Sequence, residues 1–74
     1  MSYYEIVVMG HLGYEWESWL GNMKIKHLST GETEIHGELK DQTAVYGIIS
    51  KLRDMNLKLI SIQKKEKPIT QIGI

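Results

Sequence analysis

The stretch from Asp41 to Ile62 constrains this chain more than any other, because it reads as a capped amphipathic helix running directly into a strand. Asp41 offers a side-chain oxygen to the amides of the first helical turn, which have no partner inside the helix. Val45, Ile48, Ile49, Leu52 and Met55 then recur at helical spacing and form one apolar stripe. Asn56 stands where a left-handed residue closes a helix, and the run from Leu57 to Ile62 is rich in strand-forming residues. A helix with one apolar stripe needs a second layer to cover it, so the rest of the chain must supply a sheet.

The preceding residues supply it. Tyr4 to Met9 reads as a first strand, with Tyr4, Ile6 and Val8 on one face and Glu5, Val7 and Met9 on the other. Only one of those last three is charged, which is the mark of a central strand. Gly10-His11-Leu12-Gly13 interrupts it. Trp16, Trp19 and Leu20 then recur at helical offsets, predicting a helix of about two turns whose indoles anchor it to the sheet. Met23 to Leu28 and Thr33 to Leu39 read as a hairpin around Ser29-Thr30-Gly31-Glu32, with Met23, Ile25, Ile35, Gly37 and Leu39 inward. Its outward lysines, Lys24 and Lys26, are expected opposite outward glutamates.

The order strand, short helix, strand, strand, helix, strand predicts an α+β fold: a ferredoxin-like βαββαβ two-layer sandwich with a short first helix. The first crossover barely reaches the length such a connection needs, so a three-stranded meander followed by a helix and a fourth strand stays open. Residues 1–67 are read as one domain. Residues 68–74, which follow Pro68 and carry three isoleucines, are read as a C-terminal tail, either frayed or interface-forming.

Composition narrows the partners. Nine basic and nine acidic residues cancel, which argues against a dedicated binder of nucleic acid or anionic membrane. Hydrophobic residues make up 42% of the chain, enough for a folded domain. With no cysteine there is neither a disulfide framework nor a thiolate metal site, and the cytoplasm is the expected compartment. A chain of this size has a small core, and burial against a second subunit would enlarge it.

No catalytic constellation stands out. His11, His27 and His36 share no metal-binding spacing, so no metal or cofactor is expected. Glu15 with Glu17, or Glu34 with Glu38, lacks the burial that splits an acid/base pair. The serines sit in no nucleophile elbow, and Gly10 to Gly13 lacks the third glycine of a dinucleotide loop. RNA-recognition sheets place aromatics where this third strand offers Glu34, His36 and Glu38.

Asp41-Gln42-Thr43-Ala44-Val45-Tyr46-Gly47, with Lys51-Leu52-Arg53-Asp54 and Leu57 to Ile62, resembles a small uncharacterised prokaryotic family that pairs a Trp-containing segment and a hairpin with an Asp-Gln-x-Ala helix start. The resemblance spans roughly Tyr4 to Gln63 and implies no activity. More distantly, the same segment is similar to ACT-type regulatory domains, which start a helix on Asp after a strand and commonly bind amino acids at subunit interfaces. Asp41 matches that start, while Thr43-Ala44 replaces the usual Pro-Gly; the similarity therefore implies fold and dimerisation more than a ligand.

Two functions follow as expectations. The first is a non-catalytic protein-interaction or self-association domain, a homodimer or a partner of another protein, using Val7, Met9, Leu28 and His36 on the sheet face away from the helices. The second is an ACT-like sensor of an amino-acid-type small molecule, bound by Gly10, His11, Gly13, Tyr14, Trp16, Asp41 and Gln42.

Overall fold

The computed structural model describes residues 2–65. The elements are β1 (Ser2–Met9), a single 3-10 turn (Tyr14–Trp16), β2 (Lys24–His27), β3 (Glu32–Leu39), α1 (Gln42–Asp54) and β4 (Lys58–Lys65). The four strands form one antiparallel sheet in the order β2-β3-β1-β4. β1 is central, as its two-sided apolar character required. It pairs with β3 and β4 rather than with β2, so the three-stranded meander does not form.

The helix and hairpin are where the sequence puts them. Oδ1 of Asp41 accepts the Ala44 amide at 3.0 Å and caps α1. Asn56 adopts a φ of 64° just past the helix, where its amide and that of Leu57 satisfy the last-turn carbonyls of Arg53 and Leu52. In the hairpin, Gly31 takes a φ of 87° and the Leu28 amide donates to the Glu32 carbonyl. Lys26 stands opposite Glu34 as expected, but Lys24 stands opposite His36.

The core lies between α1 and one sheet face. Val45, Ile48 and Leu52 from α1 join Ile6, Val8, Ile25, Ile35 and Leu39 from the sheet, closed at one side by Leu12, Leu20 and Met23. Met23 lies against the backbone of β3, where Gly37 makes room: a Cβ there would stand 2.8 Å from Met23 Sδ.

The first crossover departs from expectation. Instead of two α-helical turns the chain makes one 3-10 turn and then a tight reversal, with Trp16 and Glu17 amides donating to the carbonyls three residues back. Gly21 and Asn22 follow at φ values of 77° and 63°. The segment is too short to offset helix nucleation, and the Glu17 carboxylate accepts the Ile25 amide at 2.9 Å, tying the turn to β2. Trp16 and Trp19 are not the anchors. They are 37% and 41% exposed and meet edge to face, while Leu20, fully buried, holds the segment down.

β4 runs to Lys65, three residues beyond the expected Ile62. Its register against β1 shifts between Val7 and Val8, so that Ser61 opposes Val7, Leu59 opposes Val8 and Ile60 is the extra residue of a bulge. The expectation for residues 68–74 lies outside the described residues.

Candidate functional site

The residues singled out from sequence fall into three places. Gly10, His11, Gly13, Tyr14 and Trp16 follow β1 and sit beside the β2–β3 turn. Buried Thr33 fixes this loop: its hydroxyl accepts the Leu12 amide at 3.2 Å and donates to the Gly10 carbonyl at 2.6 Å. The Gly10 amide donates to the Gly31 carbonyl. His11 stacks on His27 with ring centroids 4.1 Å apart, and Tyr14 tilts against the same imidazole. His27 Nε2 also bonds to the Leu12 carbonyl. Stacked rings point their nitrogens along parallel planes rather than at a common centre, and among the described residues no three His, Asp or Glu side chains converge as a metal set.

Asp41 and Gln42 lie at the other end of the sheet. Met9 pairs with Glu32 whereas Ser2 pairs with Leu39, so the helix start after Leu39 is separated from the Gly10 loop by the length of β1, roughly 25 Å. The structure does not bring the two halves of the expected ligand site together.

The third place is the sheet face away from α1. Strand register sets Tyr3, Glu5, Val7 and Met9 on it, beside Glu32, Glu34, His36 and Glu38 from β3 and Lys24 and Lys26 from β2. Val7 is half-buried and Met9 exposed; Leu28 lies past β2 in the turn. The face is mainly polar. Tyr3 Oη and His36 Nδ1 share a hydrogen bond, and Lys65 Nζ lies 3.6 Å from Glu5. Glu5 and Glu34 are diagonal neighbours across β1 and β3, close enough for each to shift the other's proton affinity, a pairing the sequence did not suggest because they lie on different strands. Hydrogen bonding to Glu34 holds Glu5 below the usual carboxylate range, aided by Lys65. Burial, and then the bond and charge of Glu5, push Glu34 above it.

One concave feature is not foreshadowed by the sequence. Between α1 and β4 runs a trough of about 340 Å³, lined by Tyr4, Gln42, Val45, Tyr46, Ile49, Ile62 and Lys64. It continues into a second hollow of about 160 Å³, lined by Ile49, Leu52, Arg53, Leu57 and Leu59. Ile49 belongs to both. Tyr46 is 64% exposed, and Leu59 and Ile62 remain open although both lie on the helix side of the sheet. α1 lies closest to β4 and β3, yet Leu59 and Ile62 of β4 stay partly bare. Leu59 and Ile62 are three residues apart and would face opposite sides of a regular strand; the bulge at Ile60 sets both on the helix side, and the strand order makes β4 an edge among the described residues.

A family model described as a domain of unknown function (DUF8691) matches residues 3–63, nearly the whole of the described fold. The chain belongs to this family. No curated protein and no solved structure matches it. Domain DUF8691 here is a four-stranded antiparallel sheet with one helix, and among the described residues no helix is long and apolar enough to cross a membrane.

Proposed function

We propose that this domain is a non-catalytic protein-interaction module whose docking surface is the trough between α1 and β4. We read its topology as a split βαβ (ferredoxin-like) sandwich in which the first helix is reduced to a turn, and we place it in the cytoplasm. One observation carries the functional reading: an apolar trough lies beside a strand that, among the described residues, has a neighbour on one side only. Exposed aromatic and aliphatic side chains grouped in a concavity are the usual anchors of protein interfaces.

The opposite sheet face, favoured by the sequence for self-association, is less suited to it. Its charges run in stripes, basic on β2 (Lys24, Lys26), acidic on β3 (Glu32, Glu34, Glu38), and basic again on β4 (Lys58, Lys65). Stacking two copies with strands aligned sets lysines over lysines, and like charges at an interface weaken it. The amino-acid-sensing alternative needs one site shared by the Gly10 loop and the helix start, which lie at opposite ends of β1.

Selection of binding peptides from a random library, with each binder mapped by amide chemical-shift changes, tests the reading. Changes concentrated at Tyr46, Ile49, Leu59 and Ile62 are expected. Binders that map to the Tyr3–His36 face or to the Gly10 loop would overturn it.

A further inference from the structure

We infer that the trough receives an extended acidic-apolar segment of another protein, which adds as a fifth strand to the outer edge of β4. This rests on the trough being the docking surface and goes on to name what docks.

The shape of the site selects an extended chain. β4 pairs only with β1, so its other edge offers unpaired amides and carbonyls among the described residues. α1 runs beside it for the length of the trough. The strand from Leu59 to Lys64 and the helix from Gln42 to Arg53 each span roughly 16 Å, which matches about five extended residues. A strand laid along β4 would satisfy the open backbone groups and turn alternate side chains toward Tyr46, Ile49, Leu59 and Ile62, the arrangement of strand-addition recognition.

Charge selects the chemistry of that chain. Lys64 stands at one end of the trough and Arg53 at the other, both exposed, and no carboxylate lines the space between them. Among the described residues neither cation has an ion-pair partner. Lys58 adds to the positive character of the strand. A second copy of β4 laid on this edge brings lysines to lysines, and edge lysines are a common guard against self-pairing. An apolar segment with carboxylates at both ends meets cations at both ends instead.

Three labelled peptides of about seven residues test this by fluorescence anisotropy. One alternates isoleucine and threonine between terminal aspartates, one carries terminal lysines instead, and one replaces the isoleucines with serine. The aspartate peptide is expected to bind about tenfold more tightly than the lysine peptide, the difference made by two exposed charge pairs, and the gap should close as salt is raised. The serine peptide should not bind. In Lys64→Glu, and more strongly in Lys64→Glu/Arg53→Glu, the preference should invert; both side chains are exposed, and circular dichroism checks that the fold is kept. Equal binding of the aspartate and lysine peptides, lost in Ile62→Glu, would overturn the acidic specificity and leave the docking surface standing. No peptide binding, together with a dimer that Ile62→Glu dissolves, would overturn it in favour of a second copy. No binding by a chain that remains monomeric would overturn both.

Discussion

Replacing Thr33 with valine removes one oxygen from the interior while keeping shape and β-branching, and it isolates what holds the Gly10 loop. The Thr33 hydroxyl is fully buried and joins two backbone groups of that loop, accepting from Leu12 and donating to Gly10. Valine orphans both, and each buried polar group left without a partner costs about 1–3 kcal/mol. The added methyl returns roughly 0.8 kcal/mol, so Thr33→Val should destabilise by about 2–4 kcal/mol. Thr33→Ser keeps both hydrogen bonds and loses a methyl group, at a cost of about 1 kcal/mol. The expected order is wild type, serine, valine. For a domain of this size that puts the valine variant about 10–25 °C lower in melting temperature than wild type. Urea unfolding followed by tryptophan fluorescence measures the order directly. Strand propensity and apolar burial both favour valine over serine, so a valine variant clearly more stable than the serine one would show that the hydroxyl clasp contributes nothing.

Three further outcomes follow. Leu20→Ala should cost about 2–4 kcal/mol, against about 1–2 kcal/mol for Trp19→Ala, which gives up an edge contact with Trp16 and the Lys51 ammonium over its ring; urea titrations giving the reverse order would restore the indoles as anchors. Gly37→Ala should lose about 1–3 kcal/mol by displacing Met23 Sδ, and combining it with Met23→Ala should cost less than the two changes summed, an additive cycle being evidence against the contact. Glu34→Gln should leave stability nearly unchanged in acid and raise it relative to wild type as pH climbs: the native Glu34 proton is held above the usual carboxylate range, so wild type loses stability as pH rises through that range and glutamine does not. Unfolding midpoints compared across pH decide it, and a pH-independent difference would contradict the raised proton affinity of Glu34.

Much of the fold is readable because local signals agree. Asp41, the Val45 stripe and Asn56 each specify one end or face of α1, and Gly31 with the flanking alternation specifies the hairpin. The first crossover is different: the spacing of Trp16, Trp19 and Leu20 fits a helix, yet periodicity does not say which of the three reaches the core. Leu20 does, and the larger indoles stay outside. The trough was illegible for a related reason. Leu59 and Ile62 stand three apart, which in a regular strand means opposite faces; the bulge at Ile60 turns both toward the helix side, and their exposure follows from the place of β4 at the edge of the described sheet. Glu5 and Glu34 meet across a strand pair whose register no single stretch of sequence encodes.

The central claim, that the outer side of β4 and the adjoining trough take up an extended partner, is tested most directly by isotope-edited NMR of the labelled domain with the aspartate-ended peptide. Cross-strand contacts between peptide backbone and β4, with contacts from its apolar side chains to Tyr46 and Ile62, are predicted. Contacts confined to the Glu5–Glu34 face, or a peptide bound as a helix away from β4, would contradict the account.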